Sequence, residues 1–299
     1  GGTVPVQGSA GPDFGGVDSL MDALLADTPA GCSVEEAYAR CEKLATTHYE
    51  NFTVGSWFLP PSTRKYFYSI YAYCRSVGDL GDEYPGDRIQ ALDFWEHEIE
   101  ECFQGTPKHP YMIALQETIR AFDIPKEPFV KLVQANRMDQ ETKRHATYED
   151  VEYYCQHSAN PVGHLVLYVS GYRDKKRQRL SDYTCTALQL TNFWQDVARD
   201  LAMGRIYIPL EDIKRSGYSV DELERGVVND SFRQLMSFEV ERARELFKRG
   251  LKLVDTLDGR LKLDVLLFSK GGMKVLDLIE RRGFDVLSQR PALSRRAKL

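Results

Sequence analysis

Apolar residues recur every three or four positions along most of this chain, and this spacing constrains its fold more than any other sequence feature. In the segment Thr63–Asp82 they form one stripe, the pattern of a helix with one buried face: Tyr66, Phe67, Ile70, Tyr71, Cys74 and Val77. Similar runs predict helices over Val17–Ala26, Val34–His48, Asp87–Phe103, Tyr111–Phe122, Glu127–Arg137, Tyr148–Cys155, Val162–Gly171, Asp182–Met203, Ser231–Asp258 and Lys262–Arg282. The sequence shows no sustained alternation of period two and no Asn-Gly or Asp-Gly hairpin signal. We therefore predict an all-α fold.

The N-terminal sequence GGTVPVQGSAGPDFGG differs in composition from the rest of the chain. It is rich in Gly and Pro, so it buries little apolar surface and has much backbone entropy to lose on folding. We expect residues 1–30 to be a flexible segment. Because no linker interrupts the remainder of the 299 residues, we predict that residues 31–299 form a single domain, which is long enough to bury a substantial core.

The charge balance argues against a nucleic-acid partner. The chain has 39 basic and 44 acidic residues and a net charge of −5, whereas proteins that bind phosphate backbones usually carry an excess of Lys and Arg. Six widely spaced cysteines without a Cys-x-x-Cys pair favour free thiols over a zinc site or disulfides. Since neither a signal peptide nor a run of about 20 apolar residues is found, we expect a cytoplasmic protein whose substrate could still be a lipid.

Acidic side chains cluster on two of the predicted helices. Asp79, Asp82 and Glu83 share one helix face because they are separated by three and four residues, and Asp196 and Asp200 are likewise four residues apart. Taken singly, acidic residues on helices usually belong to a solvated surface. Each cluster here has aromatic and aliphatic neighbours along the same helix, which makes that interpretation weaker.

The second cluster belongs to a longer polar stripe. Gln189, Asn192, Asp196 and Asp200 follow one another at helical spacing along a largely apolar segment. A buried stripe of this kind is costly unless a ligand satisfies it. Oxygen-rich faces on two helices suit Mg²⁺, which keeps several waters and is commonly shared with substrate phosphates. The pattern predicts that a diphosphate binds through Mg²⁺ between two acidic helix faces.

Five segments resemble the motifs of one known family, in the same order: HYENFTVGSWFLPPSTRKYFYSIYAYCR (His48–Arg75), CRSVGDLGDE (Cys74–Glu83), YCQHSANPVGHLVL (Tyr154–Leu167), LQLTNFWQDVARDLAMGRIYIP (Leu188–Pro209) and IERRGFDVLSQRPALSRRAKL (Ile279–Leu299). This is the squalene/phytoene synthase family of head-to-head prenyltransferases. HYENF and SANPVG most resemble its hydroxysqualene synthases of bacterial hopanoid pathways. The resemblance implies a single-domain helical bundle of the class I isoprenoid synthase type with a central active-site cavity.

The resemblance also implies a reaction and a cofactor. Two or three Mg²⁺ ions, held by Asp79, Asp82, Glu83, Asp196 and Asp200, would bind the diphosphate of a prenyl substrate. In the resembling subgroup, presqualene diphosphate and water give hydroxysqualene and diphosphate. The alternatives are condensation of two farnesyl diphosphates to presqualene diphosphate or squalene, and a prenyl-lipid-binding protein without turnover. Because no Gly-x-Gly-x-x-Gly follows a predicted strand, we do not expect a requirement for NADPH, although an all-α protein could bind it differently.

Further residues match basic positions of the family's site. Arg75 and Arg205 are expected to donate to phosphate oxygens, since a guanidinium group matches phosphate geometry. The alternative is that both are surface arginines that pair with nearby acids. His48 resembles the family histidine near the diphosphate, whereas His164 stands where the resembling subgroup usually has Arg.

Aromatic and small residues are expected to shape a cavity that protects a carbocation. Tyr154 matches the tyrosine of the third motif, and Tyr71 and Phe52 lie in the N-terminal motif, although aromatic residues at helical spacing more often form plain core. Gln189 and Asn192 are expected to hold water or to orient metal ligands. Three small residues match family positions that admit a prenyl chain: Ala159, Val162 and Gly163.

One position departs from the family pattern. The first acidic motif usually begins with two adjacent aspartates, and Gly78 occupies the first of these positions. Glycine supplies no carboxylate, and it costs about 0.5–1 kcal/mol of helix stability relative to alanine. We expect either that a neighbouring carboxylate replaces the missing ligand or that the first metal site is weakened.

The implied product suggests two kinds of partner. A very apolar product favours a peripheral membrane contact for its release. Cooperation with other enzymes of the squalene pathway is a second expectation. Both follow from the resemblance and not from a motif in the sequence.

Overall fold

The computed structural model describes residues 31–47 and 60–293, so the helix predicted at Val17–Ala26 lies outside the described residues. The helices are α1 Val34–Thr47, α2 Pro61–Asp82, α3 Arg88–Gln104, α4 Pro110–Phe122, α5 Glu127–Glu141, α6 Tyr148–Ser158, α7 Asn160–Val169, α8 Lys175–Gln195, α9 Val197–Ala202, α10 Leu210–Arg215, α11 Val220–Glu224, α12 Asp230–Gly250 and α13 Gly259–Arg281. In these residues β pairing is limited to one isolated bridge between Arg144 and Ile206. The predicted all-α class is confirmed.

Helix α8 differs from its prediction at both ends. It begins at Lys175, where the side chain of Asp174 accepts a hydrogen bond from the backbone N–H of Arg177 and caps the helix. It ends at Gln195, because Asp196 leaves helical geometry with φ −105° and ψ 17° before α9 begins. The prediction of one uninterrupted helix to Met203 is therefore wrong.

The C-terminal helices also divide more finely than the periodicity predicts. The run expected over Ser231–Asp258 ends as an α-helix at Gly250 and continues as a 3₁₀ segment, Leu251–Thr256. Helices α10 and α11 have six and five residues, too few for a periodic apolar pattern to predict them.

Helix α2 lies at the centre of the N-terminal half and packs against α1, α3, α4, α5 and α7. Pro61 occupies its first position, where the missing N–H costs nothing. The predicted apolar face is buried at Phe67, Ile70 and Val77. Tyr73 is also buried, and its hydroxyl donates to the carbonyl oxygen of Phe129 on α5 at 2.7 Å. This packing fixes the C-terminal end of α2, which carries the first acidic cluster.

Helix α8 has the equivalent position in the C-terminal half, where it packs against α6, α7, α12 and α13. Leu190 and Trp194 of α8 are completely buried in this second core. Helix α7 contacts both α2 and α8, so it joins the two central helices. The two helices whose ends carry the acidic clusters thereby pack on one shared element.

Two expectations about covalent and membrane features can be compared with the structure. All six cysteines are free thiols, which confirms that disulfides do not hold the fold together. Within residues 31–47 and 60–293, no helix combines the length and the apolar composition that crossing a bilayer requires.

Candidate active site

The first acidic cluster lies at the C-terminal end of α2, and two of its carboxylates are close to arginines. The Oδ2 atom of Asp79 is 3.6 Å from the Nε atom of Arg75, one turn earlier on the same helix. The Oδ1 atom of Asp82 is 3.8 Å from an Nη1 atom of Arg205, which follows α9. Glu83 is exposed at the end of the helix. Arg205 therefore connects the end of α2 with the region of the second acidic cluster.

Gly78 lies on α2 with open space beside it. A Cβ atom built at this position meets no atom within 4 Å, so packing does not require glycine there. Gly81, one turn later, is different, because its Cβ would lie 2.4 Å from Oδ1 of Asn136. The departure at Gly78 therefore removes a side chain from the site without a packing reason.

The second acidic cluster is centred on the break between α8 and α9. The carboxylate of Asp196 accepts a hydrogen bond of 2.6 Å from Nε of Arg290 in the C-terminal segment. The neighbouring side chain of Gln195 donates to the carbonyl oxygen of Pro291 at 2.7 Å. Burial, together with the charge of Asp196, raises the pKa of Asp200 to about 7 despite the proximity of Arg205. Asp200 is thus a carboxylate whose charged form lacks sufficient compensation.

The donor set fits Mg²⁺ that is shared with a substrate. Among the described residues, no three Asp, Glu, His or Cys side chains lie together as a complete metal cage. Mg²⁺ usually takes only one or two carboxylates and completes its shell with waters and phosphate oxygens. Carboxylates from two elements and the uncompensated Asp200 are suited to that mode of binding.

The two predicted phosphate-binding arginines have unused hydrogen-bonding capacity. The Nε atoms of Arg75 and Arg205 are both buried and lack a hydrogen-bond partner among the described residues. The side chain of Arg205 is only 13% exposed. Buried donors without partners cost stability, about 1–3 kcal/mol for an uncharged group and more for a charged one. Both guanidinium groups are thus available to an anion that enters the site.

Asp139 on α5 is a central polar residue that the sequence analysis missed. It is 7% exposed, and its two oxygens accept hydrogen bonds from the phenols of Tyr154, at 2.6 Å, and Tyr207, at 3.1 Å. Burial raises the pKa of Asp139, and Tyr154, Arg205 and Tyr207 partly oppose that shift. The predicted helix stopped at Arg137, and only continuation of the helical phase by two residues would have included it.

The two tyrosines belong to an aromatic group beside the acidic clusters. The rings of Phe193 and Tyr207 are stacked, with centroids 3.9 Å apart and planes inclined by 3°. Tyr154 lies 5.7 Å from Tyr207 and 6.1 Å from Phe193, and His145 stacks on Tyr207 at 5.5 Å. A small crevice next to this group is lined by Phe193, Asp200, Arg205 and Tyr207. Faces of aromatic rings can stabilise a nearby cation.

Other predicted residues occupy more varied positions. Tyr71 is buried, and its hydroxyl accepts a hydrogen bond from Arg75 at 3.4 Å. Gln189 is half-buried and accepts from the hydroxyl of Ser158 at 3.4 Å, whereas Asn192 is exposed. The polar stripe predicted on this side of α8 is therefore only partly buried, since Gln189, Asp196 and Asp200 are half-buried and Asn192 is open to solvent.

The small residues of the third motif lie where α6, α7 and α8 meet. Ala159 links α6 to α7, and Val162 packs against the first core. A Cβ at Gly163 would lie 2.3 Å from Oγ of Ser181 and 2.7 Å from Sγ of Cys185, so glycine permits close packing of α7 on α8. A role of these residues in admitting a prenyl chain stays a prediction.

The two histidines and the phenylalanine named in the family motifs lie apart from the acidic clusters or outside the described residues. His164 pairs with Asp182 through Nε2 and Oδ1 at 2.7 Å, and Asp182 lies 14 residues before Asp196 along α8. His48 and Phe52 lie outside the described residues. Tyr207 and Arg290 were not predicted as site residues, although both lie within segments that resemble the family motifs.

Fold and site together define a protein, all-helical in its described residues, that brings carboxylates and two arginines with unused Nε donors together near two helix ends. The chain belongs to the squalene/phytoene synthase family, because the sequence model of that family matches residues 45–297. The predicted family is thereby confirmed, and with it the isoprenoid synthase type of helical fold.

Curated relatives and solved structures give the same picture. The chain is 33% identical to 15-cis-phytoene synthase of Synechocystis sp. over 91% of this chain and 86% of the relative. It is 32% identical to chloroplastic phytoene synthase 2 of Zea mays over 88% of this chain and 68% of the relative. The crystal structure of squalene synthase HpnC from Alicyclobacillus acidocaldarius matches with 43% identity and a TM-score of 0.82, covering 88% of this chain and 99% of that one. The crystal structure of a dehydrosqualene synthase in complex with ligand shares the fold, with a TM-score of 0.81 and 22% sequence identity. The match covers 89% of this chain and 93% of the dehydrosqualene synthase chain.

Proposed function

We propose that this protein is a Mg²⁺-dependent prenyl diphosphate enzyme that converts presqualene diphosphate and water to hydroxysqualene and diphosphate. The observation that carries the proposal is that the buried Nε atoms of Arg75 and Arg205 make no hydrogen bond, although both side chains lie beside the carboxylates at the end of α2. A diphosphate that brings Mg²⁺ satisfies both kinds of group at once. The similarity to squalene synthase HpnC, at 43% identity, supports a substrate of the squalene pathway over the substrate of phytoene synthases.

The residues present divide the work of binding. Mg²⁺ would be held by the carboxylates of Asp79, Asp82, Glu83, Asp196 and Asp200. When bound there, it would neutralise negative charge on the departing diphosphate. Arg75 and Arg205 bind phosphate oxygens through the donors that the protein itself leaves unused.

Asp139 and the aromatic group act on the hydrocarbon part of the reaction. The carbon–oxygen bond breaks with its electron pair going to diphosphate, and the aromatic faces stabilise the resulting carbocation. Water then adds to the rearranged cation and loses a proton. Tyr154 accepts that proton on its oxygen as its own phenolic proton passes to Asp139, at 2.6 Å. The raised pKa of Asp139 favours this uptake.

Product analysis tests the proposal directly. Purified protein is incubated with presqualene diphosphate and Mg²⁺, with and without NADPH, and the lipids are identified by mass spectrometry. We expect hydroxysqualene and diphosphate without NADPH. Squalene that forms only with NADPH would show that hydride and not water quenches the cation, and no release of diphosphate would favour a binding protein.

A second candidate function is the head-to-head condensation itself. The similarity to curated phytoene synthases favours this condensation, because those proteins are named for the synthesis of phytoene. Farnesyl diphosphate and geranylgeranyl diphosphate are supplied separately in the same assay. Accumulation of presqualene diphosphate, squalene or phytoene from these substrates, with presqualene diphosphate left unconverted, would establish the condensation in place of the hydration.

A variant pair tests the metal-binding carboxylates. We expect Asp196→Ala to abolish turnover and leave the fold intact, since Asp196 lies at the partly exposed break between α8 and α9. Asp255→Ala, at an exposed position of the 3₁₀ segment, is the matched control. Rates are measured over a Mg²⁺ titration and folding by circular dichroism. Near-normal turnover in Asp196→Ala would remove this residue from the metal site.

A further inference from the structure

A cleft with a charged lining lies between α5, α6, α7 and α8. The volume of this α5–α8 cleft is about 310 Å³, at the lower end of the range for small-molecule sites in proteins. Its charged lining residues come from three of the four helices: Glu127 and Lys131 of α5, His164 of α7, and Lys175, Arg179 and Asp182 of α8. A cleft of this size and composition can select a ligand by both size and charge.

The α5–α8 cleft is distant from the second acidic cluster. Asp182 is the last lining residue along α8, and it lies 14 residues before Asp196. An α-helix rises about 1.5 Å per residue, so about 21 Å of helix separates the two positions. On α7, His164 lines the cleft, whereas Gly163 packs on Ser181 of α8. The α5–α8 cleft is therefore a different site from the candidate active site.

Both carboxylates of the cleft already have a partner within the lining. The Nζ atom of Lys131 is 2.8 Å from Oε1 of Glu127, and Nε2 of His164 is 2.7 Å from Oδ1 of Asp182. The hydrogen bond from Lys131, with smaller contributions from the charges of His164 and Lys175, lowers the pKa of Glu127. Basic groups of three helices thus act on one carboxylate in the cleft.

Lys175 and Arg179 are cations of the cleft without a carboxylate partner. Both residues are exposed, and neither forms a salt bridge with a described residue. They are one turn apart on α8, a spacing at which like charges destabilise a helix. Lys175 also lies in the first turn, where α8 has no acidic residue and where the helix dipole disfavours cations. An anion bound between the two side chains would remove both costs.

We propose that the α5–α8 cleft binds a small organic phosphate, whose phosphate group lies between Lys175 and Arg179. A phosphate monoester carries a charge of about −1.5 to −2 at pH 7, which matches two free cations, whereas a carboxylate would neutralise only one. The guanidinium group of Arg179 can donate to two phosphate oxygens at once, and Lys175 adds a compact positive charge. The site does not depend on which prenyl diphosphate the protein converts.

The rest of the cleft suits the organic part of such a ligand. A phosphate ion alone would fill only part of the 310 Å³, since one water occupies about 30 Å³ in the liquid. Pro125, Pro161 and Tyr168 give the lining apolar surface. The side chain of Glu127 is 72% exposed and pairs with Lys131 through Oε1, so its other oxygen can accept a hydrogen bond from a ligand hydroxyl. A phosphorylated molecule with a short hydroxylated body fits both features.

Isothermal titration calorimetry tests the proposal. The full chain is titrated without Mg²⁺ with ribose 5-phosphate, glycerol 3-phosphate and AMP, and separately with ribose and with inorganic phosphate. We expect saturable binding of at least one of the three organic phosphates, weaker binding of inorganic phosphate and no binding of ribose. If none of the three organic phosphates binds saturably, or if inorganic phosphate binds as tightly as they do, the proposal is wrong.

Variant pairs locate the bound phosphate. An exposed ion pair contributes about threefold to affinity, so Lys175→Gln with Arg179→Gln should weaken binding about tenfold. Lys176→Gln with Lys252→Gln removes the same charge from exposed positions outside the lining and should bind as the wild type does. Circular dichroism checks that all variants are folded. Equal weakening in both pairs would indicate a general effect of net charge and would overturn the proposal.

A third pair separates the cleft from the candidate active site. Arg75→Gln with Arg205→Gln removes the phosphate donors beside the acidic clusters, and we expect this variant to bind the organic phosphate with unchanged affinity. Loss of binding here, with no change in Lys175→Gln with Arg179→Gln, would assign the phosphate to the candidate active site and refute the second site.

Discussion

Replacement of Asp139 by asparagine isolates the charge that connects Tyr154, Tyr207 and Arg205. Asp139→Asn keeps the shape of the side chain but leaves one oxygen to accept hydrogen bonds where the carboxylate uses two, at 2.6 and 3.1 Å. A hydrogen bond to a charged group contributes about 1.5–3 kcal/mol. Removal of a buried charge offsets part of that loss. We expect the free energy of unfolding to fall by about 2 kcal/mol.

The same variant should affect the chemical step more than substrate binding. If Tyr154 passes its proton to Asp139, loss of the acceptor should lower kcat by about a hundredfold, the usual range for one acid–base group. KM for presqualene diphosphate should change little, because the phosphate donors Arg75 and Arg205 remain. Burial, and after it the negative charge of Asp139, raises the pKa of Tyr154 and of Tyr207, so loss of that charge should lower the pKa of both phenols in the variant.

Three measurements decide the matter for Asp139→Asn. Urea unfolding gives the stability, initial rates give kcat and KM, and ultraviolet absorbance between neutral and alkaline pH gives the phenol titration. Asp255→Asn makes the same change of charge at an exposed position and should leave all three unchanged. A kcat for Asp139→Asn within twofold of that control would refute the proton path, even if stability falls as expected.

Further predictions concern three other residues. Gly78→Asp should lower the Mg²⁺ concentration needed for half-maximal activity, because open space surrounds the position, whereas Gly78→Ala should only stabilise α2. Gly163→Ala should lower the melting temperature, since its Cβ would lie 2.3 Å from Oγ of Ser181; an unchanged value would show that the helices separate freely. Burial and a hydrogen bond to Asp212 raise the pKa of Glu239 to about 9. The stabilisation that the protonated Glu239 carboxyl gives to the folded state is therefore complete below about pH 4.5 and is lost as pH rises through 9. Glu239→Gln should flatten that decline, up to about 1.4 kcal/mol per pH unit, in urea unfolding at pH 5 to 9.

The sequence predicts the helices best where one face is buried along many turns. For α2, periodicity identifies Phe67, Ile70 and Val77, and all three are buried. The break at Asp196 and the short helices α10 and α11 were not predicted, because apolar spacing records which side of a segment is buried and not where its axis changes. Helix boundaries depend on local caps and on tertiary contacts that a single sequence does not display.

Some residues of the candidate site could be predicted from the sequence, and others could not. The acidic clusters and both arginines follow from residue type, spacing and family motifs, but the Asp139 network required the structure. Asp139 and Tyr154 are 15 residues apart and lie on different helices, so their hydrogen bond has no counterpart in local spacing. An isolated aspartate near a helix end also reads as a solvated surface residue until its burial is known.

Each of three acidic residues in the site already has its own cation: Arg75 lies near Asp79, Arg205 near Asp82 and Arg290 on Asp196. A bare group of carboxylates would repel an incoming diphosphate from a distance, and its association rate would depend strongly on ionic strength. Here three of the carboxylates are already compensated before the substrate arrives, and binding exchanges partners: arginines turn to phosphate oxygens as carboxylates turn to Mg²⁺. Capture of a magnesium diphosphate by this protein should therefore depend less on salt than capture by a bare group of carboxylates, and its rate should be set in part by how quickly these side chains change partners.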